Sequence, residues 1–320
     1  GGFVDYLDRV KLGGPTIKRT SSFGTSIFLW APYLQGHLAM LVYSLLVAGS
    51  FSLGSIVANE IAPSAINAIR FSMATVLMGI VAFAGPGIRR CHFRAPWRYL
   101  VLGGLLASYF LTMFEGLKTA EPVSAAAIFT LIPLFAGIFG YILLRQVMTI
   151  RMAIALALAA VGAYAVLFRG DFSQLTKMNL GRGEFVYLIG CAIHGIYTPM
   201  VSKMNRGESA INFVFGTLLA GSIFLIIFGF NDIRATNWAS LPIIFWVTLG
   251  YLVVFATAAS FVLIQFAALR LPSAKVMAYT YLTPVWVIVW EIILGNGLPS
   301  HLVFPGIFLT VGALFLLIKN

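Results

Sequence analysis

Ten long apolar stretches divide this chain almost from end to end. They cover residues 38–58, 63–84, 97–117, 122–144, 151–168, 183–203, 209–230, 241–269, 273–295 and 301–318. About 20 apolar residues in helical form cross the hydrocarbon core of a bilayer, so each stretch is expected to be a spanning helix. Barrel strands would instead read as segments of about ten residues with alternating polarity. These runs are continuous and rich in Leu, Ala and Gly. Only 10% of the residues are charged and 60% are hydrophobic, whereas a soluble domain is about 25% charged. Breakers stand between the runs, at Ala62-Pro63, Gly85-Pro86-Gly87, Glu121-Pro122, Gly181-Arg182-Gly183, Leu271-Pro272 and Gly295-Asn296-Gly297.

The basic residues lie in the connections, which fixes an expected orientation. With the N-terminus in the cytoplasm, 15 of the 21 Lys and Arg residues fall inside and five outside, and Arg70 lies within the second run. That asymmetry follows the positive-inside rule. It predicts a multi-pass membrane protein with both termini cytoplasmic. The net charge of +11 is then a matter of topology and anionic lipid, and no nucleic-acid partner is expected. Cys91 and Cys191 have no CxxC spacing, so neither a disulfide framework nor a metal site is expected, and no cofactor. Residues 1–36 do not read as a signal peptide. They are taken as a cytoplasmic or interfacial segment in which Ile27–Leu34 is too short to span.

The chain also repeats itself. Val42-Tyr43 matches Val186-Tyr187, and Ser64-Ala65-Ile66-Asn67 matches Ser209-Ala210-Ile211-Asn212. Phe114 to Lys118 matches Phe266 to Arg270, Pro133 matches Pro284, and Val161-Gly162-Ala163 matches Val311-Gly312-Ala313. Five matches in order imply duplication. The expected organisation is a five-helix repeat over 37–170, a linker over 171–181 and a second repeat over 182–320. An odd number of helices per unit inserts the second copy upside down. Inverted repeats around a midplane site are a recurring design of secondary transporters.

The residues from Pro272 through Pro284 to Trp286, the matching stretch Val123-Ser124-Ala125-Ala126-Ala127 leading to Pro133, and Arg70 together carry a resemblance. Over 38–318 the chain resembles the drug/metabolite transporter superfamily, specifically bacterial transporters with two EamA-type domains. The resemblance implies gradient-driven or facilitative export of small metabolites such as amino acids. It departs where many members carry a glutamate: Gly295-Asn296 and Arg145-Gln146 stand there instead.

Ionisable groups within a bilayer are costly and therefore candidates for function. Counted at about 1.5 Å per residue, Arg70, Glu115 and Glu291 fall in the outer half. Arg70 is expected to pair with Glu291 or Glu115 as a gate or proton-coupling element. His194 falls near the midplane, with Ser50 as its repeat partner. Tyr43 pairs likewise with Tyr187, while Tyr187, His194 and Tyr197 share a helical face. Tyr279 and Trp286 enrich the ninth run. These aromatic and polar groups form the candidate substrate site. Pro133, Pro199 and Pro284 are candidate hinges.

Three function classes compete. A secondary transporter fits the inverted repeat; an organic-phosphate or nucleotide-sugar antiporter is its variant, with Arg70 as the deep basic group. A membrane enzyme would need clustered carboxylates, and the chain has only ten Asp and Glu. A channel-like protein stands as the third. There is no GxxxxGK[ST] loop, which excludes ATP drive from this chain. The expected partners are a small-molecule substrate and membrane lipids, with the protein a monomer or homodimer.

Overall fold

Without water to satisfy peptide groups, a chain in hydrocarbon must close its hydrogen bonds within each segment, and the described spans of this one do so as helix. A computed structural model describes residues 22–169 and 180–319; most of the expected 171–181 linker lies outside them. Among the described residues are ten helices long and apolar enough to span. They are α1 (Ser22–Val57), α2 (Pro63–Ala84), α3 (Trp97–Leu117), α4 (Pro122–Leu144), α5 (Ile150–Leu167), α6 (Arg182–Met204), α7 (Ala210–Phe228), α8 (Ile243–Ala268), α9 (Ser273–Ile293) and α10 (His301–Ile318). The protein is an all-α membrane protein of two inverted five-helix repeats.

Local chemistry explains the boundaries. Pro63 and Pro122 open α2 and α4 at the first turn, where the missing N–H costs nothing. Thr149 and Ser209 cap α5 and α7, their hydroxyls accepting from the N–H groups of Met152 and Asn212. Gly295 and Gly297 turn the chain between α9 and α10 at φ +83° and +78°, a region that side chains disfavour. The N-terminal boundary differs from expectation. α1 begins at Ser22, so Ile27–Leu34 belongs to one continuous helix rather than to a separate interfacial piece. Pro32, which suggested a break, is tolerated inside that helix.

Three spans depart from regular α-helix in their interior. α4 breaks at Thr130-Leu131, immediately before Pro133, and α9 tightens to a 3-10 segment over Ala278–Leu282, before Pro284. In each case the proline ring clashes with the carbonyl four residues back. Two of the three candidate hinges thus follow helix irregularities, at repeat-equivalent positions. Pro199 behaves otherwise, lying within an unbroken α6. α8 holds a π-helical segment over Val254–Ala259 that no proline or glycine announces.

The two repeats interlock. α2 packs on α7, α4 on α9 and α5 on α10, each helix against its own counterpart. α3 packs on α6 and α7, as α8 packs on α1 and α2. Lipid tails are as apolar as leucine, so close backbone packing rather than apolar burial drives such contacts. Glycines sit where the helices touch. A Cβ on Gly103 would lie 2.5 Å from the Gly221 nitrogen, one on Gly306 2.5 Å from the Gly162 carbonyl oxygen, and one on Gly116 2.8 Å from that of Gly183.

Gly103 and its neighbour Gly104 give a matched test, because a Cβ on Gly104 meets nothing within 4 Å. Gly103→Val is expected to destabilise the fold by about 3 kcal/mol through overpacking, and Gly104→Val to leave it nearly unchanged. Thermal unfolding of the detergent-solubilised variants measures the difference.

Candidate functional site

The repeat-equivalent pairs α1/α6 and α3/α8 surround a narrow cavity of about 20 Å³, room for about one water, with one further residue from α4. α1 contributes Tyr43, Val47, Ser50 and Phe51; α3 contributes Leu106, Tyr109 and Phe110; α4 contributes Phe129. From α6 come His194 and Tyr197, and from α8 Ala256, Ser260, Phe261 and Ile264. These side chains are almost all buried. The space is largely enclosed and, as it stands, smaller than a metabolite.

Aromatic edges shape the walls. The His194 ring meets Tyr109 edge-on at 4.7 Å and Tyr197 at 5.6 Å. Tyr43 lies 3% exposed and Ser50 donates to the Val47 carbonyl at 2.5 Å. Nδ1 of His194 is buried without a hydrogen-bond partner among the described residues. An orphaned polar atom in a low-dielectric site is costly, and a substrate or a water in the cavity would satisfy it. Most of the wall is apolar, with a few polar groups converging, which is the usual character of a small-molecule site.

Of the residues expected at the site, Tyr43, Ser50, His194 and Tyr197 line this cavity. Tyr187 stands behind the wall, its hydroxyl 2.9 Å from that of Tyr109. Tyr279 and Trp286, on α9, lie outside this lining and bond to α1 instead. The Tyr279 hydroxyl lies 2.9 Å from His37 Nδ1, and Trp286 donates from Nε1 to Ser44 Oγ at 3.2 Å.

The expected ion pair of Arg70 is corrected by the structure. Glu115 pairs with Lys118 at 2.8 Å, one turn along its own helix, and Glu291 accepts from Asn296 at 2.8 Å. Arg70 is fully buried and turned toward α8. Its Nε donates to Thr257 Oγ1 at 2.6 Å and its Nη2 to the Ala256 carbonyl at 3.0 Å. Its guanidinium carbon lies 4.0 Å from the ring centre of Phe110. The depth estimate placed the three groups in one layer. Which face each presents is decided by packing, and α2 packs on α3, α7 and α8 rather than on α9.

The EamA-like transporter family matches residues 34–168 and again 181–319. The chain belongs to this family. The double match coincides with the two interlocked halves, each supplying two of the cavity's main helices. Similar proteins of the EamA type include the "Uncharacterized transporter YyaM" of Bacillus subtilis (strain 168), 21% identical over 88% of this chain and 93% of that protein. Another is the "S-adenosylmethionine/S-adenosylhomocysteine transporter" of Chlamydia muridarum (strain MoPn / Nigg), 24% identical over 74% of this chain and 78% of that one. A crystal structure shares the fold with a TM-score of 0.68 at 19% identity, covering 89% of this chain and 96% of the other.

Sequence reasoning missed the α3 and α8 walls of this EamA-like transporter. A signal existed. The 152-residue offset between Phe114 and Phe266 also relates Tyr109 to Phe261, and both line the cavity. The π-helical segment that supplies Ala256 had no such signal.

Side-chain ties close the end of the bundle where α1 begins and α10 ends. Arg98 at the start of α3 pairs with Glu208 in the α6–α7 connection at 2.6 Å and donates to the Met204 carbonyl at 2.6 Å. Gln146 accepts from the Ser273 N–H at 3.0 Å, and Ser202 donates to the Ala268 carbonyl at 2.6 Å. At the opposite end Asn59 donates to the Lys118 carbonyl at 3.2 Å, and Ser64 donates to Asp232. Burial alone would push the Glu208 carboxyl up, but hydrogen bonds from Arg98 and the Arg206 N–H outweigh it and hold the group below its ordinary value.

A lowered folded-state pKa contributes stability that is complete above the ordinary carboxylate value and lost as pH falls through the folded one. Glu208→Gln is therefore expected to cost about 3 kcal/mol near neutrality, since it strands a buried guanidinium. It should also flatten the acid-side fall in melting temperature. Thermal unfolding of both proteins from roughly pH 7 to pH 3 measures the two effects.

Proposed function

We propose that this EamA-like transporter is a secondary carrier that exports a small amphipathic metabolite, such as an amino acid, by alternating access. In this reading it sits in a bacterial inner membrane with both termini in the cytoplasm, and a substrate or ion gradient drives it. The observation that carries the reading is the enclosed cavity where α1 and α3 meet their counterparts α6 and α8. A site built from equivalent elements of two inverted copies can exchange their conformations and so face either side. The ties at both ends are single hydrogen bonds and one ion pair, few enough for one end to open while the other holds.

The aromatic wall and its few polar groups suit a substrate with an apolar body and a polar handle. The Chlamydia relative, named for S-adenosylmethionine and S-adenosylhomocysteine, supports a metabolite of that general size and character. An organic-phosphate or nucleotide-sugar antiporter is the second reading, and a single observation favours it: the buried, cationic Arg70.

Counterflow in proteoliposomes with a panel of radiolabelled amino acids and nucleoside derivatives tests the carrier reading. At least one solute should exchange, and His194→Gln should slow that exchange about tenfold or more. Cys91→Ser, in an exposed connection, should leave it unchanged. Wild-type flux in the His194 variant for every transported solute would contradict the cavity assignment.

A further inference from the structure

Arg70 is 0% exposed at membrane depth. Seven acidic residues lie among those described: Glu60, Glu115, Glu121, Glu184, Glu208, Asp232 and Glu291. No ion pair joins any of them to Arg70. The guanidinium keeps its charge in proteins because of its high intrinsic basicity. Two of its groups are occupied by Thr257 and the Ala256 carbonyl, both neutral. Nη1 is buried with no partner among the described residues. A full positive charge therefore sits at membrane depth without a counter-charge among the described residues, an arrangement that proteins rarely keep unless it serves a task.

The charge lies against the cavity wall. Phe110 lines the cavity, and the guanidinium carbon is 4.0 Å from its ring centre. Ala256, whose carbonyl Arg70 binds, lines the cavity too. No acidic residue appears in the lining. Among the described residues, the formal charge packed against this lining is one cation on the ring of Phe110. At an effective dielectric of about 20, a unit charge on the order of 8 Å away changes the affinity of an ion by about tenfold or more.

We propose that the transported substrate bears an anionic group, a carboxylate or a phosphate, for which Arg70 behind Phe110 provides the missing counter-charge. This rests on the carrier reading above and narrows its substrate to anions and to zwitterions bound by their acidic end. The guanidinium's grip on the π-helical turn of α8 serves the same end, because it fixes the charge beside the cavity. The orphaned Nη1 is a donor left free for such an acid.

The test uses the full purified chain in nanodiscs and three probes with an aromatic body: N-acetylphenylalanine, its neutral amide, and phenyl phosphate. Binding is read from the concentration dependence of thermal stabilisation. At least one of the two anions should bind about tenfold or more tightly than the amide. In Arg70→Gln that ratio should fall to about one, while Arg70→Lys, which keeps the charge, should retain most of it. A tighter phosphate assigns the anion as phosphate, and a tighter carboxylate assigns it as a carboxylate. A purely structural Arg70 would lower the melting temperature of the glutamine variant without moving the ratio, and that result overturns the proposal. So does equal binding of amide and anions by the wild-type protein, an arm that needs no variant. If neutral or cationic solutes undergo counterflow while anions do not, the anion assignment fails and the carrier survives. If no solute of any charge exchanges, both fall.

Discussion

Backbone-to-backbone contact at glycines is the constraint on which the rest of this structure depends. Gly103 meets Gly221, Gly116 meets Gly183, and Gly162 meets Gly306. Each contact joins one repeat to the other. In lipid there is no hydrophobic penalty for leaving two apolar helices apart, so association relies on how closely their surfaces fit. The glycines supply that fit across the duplication. Neither repeat is a self-sufficient body: α2, α4 and α5 find their partners in α7, α9 and α10. The cavity exists because this interlocking brings equivalent faces together around a common axis.

Interlocking also shapes how the site can move. Side chains tie the two ends, and glycine crossings join the halves both within the bundle and, at Gly116 and Gly183, at one of those ends. α4 and α9 each carry an irregular turn before a proline, at matching positions, and α8 carries the π-helical turn gripped by Arg70. Irregular helix lowers the cost of bending locally, and π-helical turns are frequent at functional sites. The cavity walls on α8 and α4 are thus attached to the least regular parts of the bundle. Packed interfaces tend to switch between discrete arrangements rather than deform continuously.

Much of this was legible in the amino-acid sequence. Lipid imposes a length on every span, and the ten spans were read to within a few residues, apart from the upstream extension of α1. The repeat matches gave the pairing of helices, and through it Ser50 with His194 and the placement of Tyr43. Helical periodicity put Tyr197 on the same face as His194. What failed was the choice of partners. Arg70, Glu115 and Glu291 were grouped by depth alone, but neighbours in a bundle depend on helix rotation and on which helices touch. The π-helical turn shifts the face of α8 in a way that no residue in Val254–Ala259 signals. Tyr279 and Trp286 suited an aromatic site by composition, yet α9 packs on α1 so that their polar atoms meet His37 and Ser44.

The central claim is that one shared cavity faces the two sides of the membrane in turn. Ser50→Cys, introduced into a chain with Cys91 and Cys191 replaced by serine, puts a single reactive thiol in that cavity. Its reaction with a membrane-impermeant maleimide, applied to right-side-out and to inverted vesicles, measures access from each side. The account predicts labelling from both sides, with a transported solute slowing one and hastening the other. Labelling from one side alone, whatever the solute, would contradict it.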